Sequence, residues 1–215
     1  MELSLSHLQP VVPASSEWEP PRDWRTGVPP LRSRRVALRD LRVADAASLY
    51  SMLGGDEVTR FMSPAPRSVV GFERFIAWTR DEQAAGRHVG LAITPADRTE
   101  VAIGIIQLRQ LTPDFHIAEW GFAIGSPYWG SGLFMEAARL AMAFAFDVVG
   151  VHRLEARAAT VNGRGNGALA KMGAVRECVL RNSFLRNGRY LDQALWSIVR
   201  EDWQRSKAVW GSIIH

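Results

Sequence analysis

A glycine-rich turn, Gly125-Ser126-Pro127-Tyr128-Trp129-Gly130-Ser131-Gly132, separates an alternating apolar strand from an amphipathic helix that begins at Leu133. Glycines at 130 and 132 permit a sharp turn and leave backbone N–H groups free of side-chain cover. Those amides stand where a helix leaves its first N–H donors without partners, and such a place binds phosphate. In the preceding strand Ala118, Trp120, Phe122 and Ile124 share one face, so Glu119 points from the other, beside Ile117 and Gly121. A lone glutamate in a strand is ordinarily exposed or ion-paired. Other reactive side chains are sparse. Cys178 is the one cysteine, which excludes an internal disulfide and a cysteine-built metal cluster, and its place in a late strand reads as a core position. The five histidines, at 7, 88, 116, 152 and 215, lack ligand spacing, so no metal site is expected.

The turn fits neither of two common phosphate loops. A dinucleotide fingerprint needs a third glycine, and a nucleoside-triphosphate loop needs Gly-Lys-Ser/Thr; both are missing.

The elements around these residues can be read in chain order. Residues 1–32 are a proline-rich extension holding six of the eleven prolines, without apolar periodicity. Trp18 and Trp24 give it aromatic surface that a free tail rarely needs, so it is expected to be a tail or to lie across the domain or a partner subunit. The domain proper is expected over 33–210. A short strand at 35–39 precedes helical spacing over 43–53, with Asp45 in the first turn and Gly54-Gly55 as the stop. The loop Ser63-Pro64-Ala65-Pro66 leads to a helix capped by Ser68, whose Phe72, Phe75, Ile76 and Thr79 share a face as far as Ala85-Gly86. Strands at 89–95, 101–109 and 115–124 have short connections and predict an antiparallel meander. The helix from Leu133 ends at Gly150, and because it crosses over, the strand at 153–159 runs parallel to the one ending at 124. Asn162 opens a glycine-rich segment with a short helix at 168–172. Strands at 176–185 and 190–199 are joined by Arg186-Asn187-Gly188, a hairpin signal, and a helix at 201–210 closes the chain. The fold class is mixed α/β, with a mostly antiparallel sheet of about seven strands, one parallel pair, and four or five flanking helices.

With 215 residues and 47% hydrophobic content the chain can form a sizeable core. No apolar run approaches the roughly 18 residues of a membrane span, and no secretory leader is evident, so a cytoplasmic location is expected. A net charge of +4 suits an anionic partner, either nucleic acid or a phosphorylated cofactor. Arg32, Arg34, Arg35, Arg39 and Arg42 read first as a solvated face, with an RNA-contacting patch as the alternative.

The succession Ala118-Glu119-Trp120-Gly121-Phe122, Pro127-Tyr128-Trp129-Gly130-Ser131-Gly132, Glu136-Ala137, Asn162 and Lys171-Met172-Gly173 resembles the GCN5-related N-acetyltransferases (GNAT) over roughly residues 33–205. It is most similar to the subgroup that acetylates the N-termini of ribosomal proteins. The resemblance implies a twisted sheet whose two central parallel strands splay apart around acetyl-CoA, the co-substrate, with no metal. The backbone of Phe122, Ala123 and Ile124 would pair with the pantetheine arm, and a backbone N–H near Ile124 would hold the oxyanion. The amides of Trp129, Gly130, Ser131, Gly132 and Leu133 would receive the pyrophosphate, and Asn162 would touch the cofactor. An amine must lose its proton before attack, and Glu119 is the candidate base.

Three positions depart from the family pattern. Pro127 replaces Gln or Arg; Gly165 replaces a serine, leaving Asn166 to substitute in cofactor contact but no acid for the leaving thiolate; Ala174 replaces an aromatic residue. The acceptor would be a protein N-terminus or a small amine, met by residues 54–86 and the final hairpin, where Tyr190 and Asp192 lie. A catalytic role for His116 or His152 is disfavoured. The main alternative is a non-catalytic acyl-CoA-binding or protein/RNA-interaction module on the same fold. Monomer and homodimer are both open.

Overall fold

The computed structural model describes residues 23–62 and 65–210. Trp18 and the loop residues Ser63 and Pro64 lie outside the described residues. One sheet contains β1 (Leu31–Arg32), β2 (Val36–Asp40), β3 (His88–Pro95), β4 (Gly104–Gln110), β5 (Ile117–Ile124), β6 (Arg153–Ala159), β7 (Val175–Arg186) and β8 (Arg189–Val199). Their order is β1-β2-β3-β4-β5-β6-β8-β7, antiparallel throughout except for the parallel β5–β6 pair. The helices are α1 (Ala46–Leu53), α2 (Asp56–Thr59), α3 (Val69–Ala84), α4 (Leu133–Ala143), α5 (Gly163–Lys171) and α6 (Arg200–Trp210). A wider π turn, Phe144–Val149, continues α4 and ends at Gly150, whose φ of 91° needs glycine. The meander, the parallel pair and the seven expected strands are present. The additional β1 follows Pro29-Pro30 and is two residues long, too short to carry a periodic signal.

The sheet is covered on both faces by its helices. Buried Ala118 and Trp120 belong to the core that includes Ala137, Ala141 and Phe144 of the α4 region. Ala92, Ile105 and Ala123 belong to a second core, with Leu49 and Leu53 of α1 and Phe72 and Ile76 of α3. The Ser68 hydroxyl caps α3 by accepting from the Gly71 amide at 3.0 Å, which fixes where its apolar face begins. The end of the proline-rich segment lies on this domain. Trp24 meets Phe115 edge-on at 5.3 Å, Val28 is buried, and Asp40 accepts from the Val28 amide.

Four local readings change. Arg39, read as part of a solvated face, is 5% exposed and forms a two-pronged pair with Asp45 at 2.8 and 2.7 Å. α5 begins at Gly163 rather than at 168, because Asn162 caps it by accepting from the Gly165 amide; its glycines had masked the start by costing about 1 kcal/mol each in helix propensity. Cys178, expected in the core, is exposed, because β7 is an edge strand of the sheet and is exposed along most of its length. His88, placed just before a strand at 89–95, is the first residue of β3.

Candidate active site

Parallel pairing of β5 with β6 covers Ile117 to Glu119 opposite Arg153 to Glu155 and then stops, while β4 stays paired with β5 as far as Ile124. A wedge therefore opens after Glu119. Ile117 accepts from Leu111, and Gly125 donates to Ile103, both on the β4 side. The two-residue alternation then turns the backbone groups of Ala123 toward β4 and those of Phe122 and Ile124 toward the wedge. The Trp129 indole donates to the Ile124 carbonyl at 2.9 Å, tying the glycine turn to the end of β5. What remains open in the wedge is the Phe122 backbone and the Ile124 N–H.

The turn itself is shaped by two left-handed residues, Gly130 (φ 73°) and Gly132 (φ 81°). A Cβ on Gly130 would meet nothing within 4 Å, whereas one on Gly132 would lie 3.0 Å from Arg35 Nη2. Among the described residues, the amides of Gly130, Gly132 and Phe134 have no acceptor, and that of Leu133 reaches only the Ser131 hydroxyl at 3.3 Å. These N–H groups lie at the positive end of α4. Arg35 braces them from β2's side by donating to the Ser131 carbonyl at 3.0 Å and to Glu136 at 2.6 Å. Ser33 donates to the other Glu136 oxygen at 2.8 Å. Burial raises the Glu136 carboxyl, and the bonds from Ser33 and Arg35 outweigh it, so its pKa lies below the ordinary carboxylate value. Opposite, the Arg164 guanidinium lies 3.7 Å over the Trp129 ring.

The two asparagines near the wedge are occupied by the fold. Asn162 caps α5. Asn166 donates to the carbonyls of Ala159 and Asn162 at 2.8 Å and accepts from the Trp196 indole at 2.8 Å, joining β6, α5 and β8.

Glu119 is half-buried at the apex of the wedge, on the face opposite Trp120. Both carboxylate oxygens are paired, Oε2 with Arg109 and Oε1 with Arg157 at 2.8 Å. The cross-strand register places His88, Arg109, Glu119, Glu155 and Ser197 in one row on one face. Arg153 extends the network by bonding Glu155 at 2.8 Å and Glu177 at 2.7 and 2.6 Å. The Arg153 guanidinium, helped by the Ser197 hydroxyl, pulls Glu177 down to about 2. Spacing within one strand could not reveal Arg109 or Arg157, because each reaches Glu119 only through strand register.

A cavity of about 650 Å³ opens on this face. Phe75 and Trp78 of α3 and Phe184 of the last hairpin line it together with Glu119 and Trp120. A Cβ on Gly121 would meet nothing within 4 Å, so the space beside Glu119 is clear. Segments 54–86 and the final hairpin thus meet at the cavity, but Tyr190 and Asp192 are not among its lining residues. Tyr190 is exposed, and Asp192 accepts from the Asn182 amide in an irregular part of β7. His116 and His152 contribute backbone bonds at the start of the parallel pair and do not line the cavity. A groove of about 800 Å³ near Asp40 and Arg80 shares no residue with it.

A family model described as an acetyltransferase (GNAT) domain matches residues 35–175. The chain belongs to the GNAT family. Among GNAT-family relatives, the "uncharacterized N-acetyltransferase YoaA" of Bacillus subtilis (strain 168) is 29% identical over 80% of this chain and 97% of that protein. The ribosomal protein uS5-alanine N-acetyltransferase of Escherichia coli (strain K12) is 29% identical over 41% of this chain and 46% of that protein. The structure of Mycobacterium smegmatis RimJ in complex with CoA-disulfide superposes with a TM-score of 0.76 at 22% identity, covering 88% of this chain and 96% of that one. The GNAT-type fold, with one splayed parallel pair in a mostly antiparallel sheet, is therefore shared. Among the described residues, no group of His, Cys, Asp and Glu side chains is arranged to hold a metal, and no helix is long and apolar enough to cross a membrane.

Proposed function

We propose that this GNAT-family protein transfers the acetyl group of acetyl-CoA to a primary amine, on a protein N-terminus or a small molecule, by direct attack in a ternary complex. The observation that carries the reading is the end of β5–β6 pairing at Glu119, which sets a carboxylate at the apex of a backbone-lined wedge. Bound acetyl-CoA supplies an acetyl thioester, and the chain's own residues do the rest. Free amides at Gly130, Gly132 and Phe134 suit a diphosphate at the positive end of α4. The Phe122 backbone and the Ile124 N–H suit an amide-bearing arm lying in the wedge as a further strand. A carboxylate offers about four lone-pair sites, so Glu119 keeps acceptor capacity beside its two arginines and takes the proton from the incoming amine. The arginines hold it in place beside the clear space at Gly121.

Arg35 is tied to Glu136 and Arg39 is buried against Asp45, which leaves less of the basic cluster for RNA. A non-catalytic acyl-CoA-binding module is the second reading, favoured by the missing hydroxyl at Gly165. A screen of amine acceptors with purified protein and acetyl-CoA, read by release of free thiol, separates the two. Amine-dependent thiol release is expected. Acetyl-CoA binding without turnover of any peptide or small amine would support the second reading instead.

A further inference from the structure

Among the groups that line the cavity, one has no evident structural duty. His88 is 5% exposed, and neither ring nitrogen meets a partner at full hydrogen-bond geometry among the described residues, the Gln107 side chain being the one neighbour that bonds the ring, weakly. Its ring stands edge-on to Trp78 at 5.1 Å. Buried polar groups are nearly always hydrogen-bonded, and an unmade bond costs about 1–3 kcal/mol, so such a ring in a cavity wall points to an absent partner. Burial, opposed by the Gln107 hydrogen bond, lowers the imidazole to about 4 and keeps it neutral at pH 7, so at least one ring nitrogen is left to offer a ligand. A hydroxyl or an amide matches such a nitrogen.

His88 is the cross-strand partner of Arg109, and Arg109 is the partner of Glu119. The imidazole and the carboxylate therefore lie on one face, roughly 10 Å apart as two strand spacings. On this face the cavity wall carries the aromatic rings of Phe75 and Trp78 from α3. We propose that His88 is an acceptor-recognition residue, hydrogen-bonding an uncharged polar group that an elongated acceptor carries about 10 Å from its reacting amine. At about 3.3 Å per residue this length is that of an extended peptide N-terminus, with the polar group on roughly its third or fourth residue. The inference rests on the transferase reading above and adds the shape and chemistry of the acceptor.

The test uses the full chain, acetyl-CoA and tetrapeptide amides of alanine in which position two, three or four is Thr, Val, Asn or Leu. Thr against Val and Asn against Leu nearly conserve shape while removing the polar group. Thiol release should favour the Thr or Asn peptide by about tenfold or more in kcat/KM at position three or four, mainly through KM. His88→Phe should bring that ratio to within about twofold of unity. His88→Gln should restore part of the preference. Nitrogen NMR of the His88 ring in the wild-type protein reads the same contact without substitution, moving with the preferred peptide and not with its apolar partner. An equal preference in wild type and His88→Phe, or no preference at any position, overturns the proposal. If small amines are acetylated and no peptide is, this inference fails and the transferase reading stands; if acetyl-CoA binds and no amine is turned over, both fail.

Discussion

The wedge beyond Glu119 and the cavity beside it adjoin one another yet are built from different materials. The wedge is backbone: amides of the glycine turn, the Phe122 and Ile124 groups, and two glycines whose left-handed conformations hold the turn open. The cavity is side chain: an aromatic wall from α3, a pair of arginines on Glu119, and a weakly partnered imidazole. A backbone-made site suits a ligand that stays the same across a family, because any sequence that folds this way reproduces it. A side-chain-made site can change its ligand by substitution while the fold remains.

That contrast can be broken at several points. The largest effect is expected from Gly132→Ala, which puts a Cβ at a left-handed residue and 3.0 Å from Arg35. Acetyl-CoA affinity measured by calorimetry should fall about 10²-fold, since strain of 1–3 kcal/mol must be relieved by moving the turn, while the acceptor preference is unchanged. Next in size is the pH response of His88. Its pKa is about 4 in the folded protein against 6.5 for a free histidine, so the unfolded chain binds the extra proton first. Stability from the neutral ring is then complete above pH 6.5 and is lost as pH falls toward 4, by about 2 kcal/mol at pH 5. The melting temperature of His88→Phe should accordingly fall less between pH 7 and pH 5 than that of the wild type. Arg35→Ala should weaken acetyl-CoA about tenfold by freeing Glu136 and the Ser131 carbonyl. Trp78→Ala should do the converse, raising the acceptor KM about fivefold with acetyl-CoA affinity intact. If Trp78→Ala weakened acetyl-CoA as much as the acceptor, the two regions would not be separable.

The same division governs what could be read before the fold was known. Local patterns carry local geometry: the glycines at 130 and 132, the Ser68 cap, the Asn187-Gly188 hairpin with φ of 50° and 74°, and the face on which Glu119 stands. Crossover logic carried the parallel pair. The partners of Glu119 were out of reach, because Arg109 and Arg157 are neighbours only once β4, β5 and β6 are in register. His88 looked like one of several scattered histidines, its role visible only when β3 brings it into the row with Arg109. Arg35 and Arg39 looked alike in a basic cluster, yet one braces the turn and the other is sealed against Asp45. The short β1 and the start of α5 were hidden by proline and glycine, whose weak propensities tertiary contacts override.

The central claim is that Glu119 removes the amine's proton at the apex of the wedge while the backbone beyond it holds acetyl-CoA. Steady-state kinetics of Glu119→Gln, together with its acetyl-CoA dissociation constant, tests this most directly. With an acceptor from the screen, kcat should fall by about 10²-fold or more while acetyl-CoA binding stays within about twofold. Turnover equal to that of the wild type at unchanged acetyl-CoA affinity would contradict it.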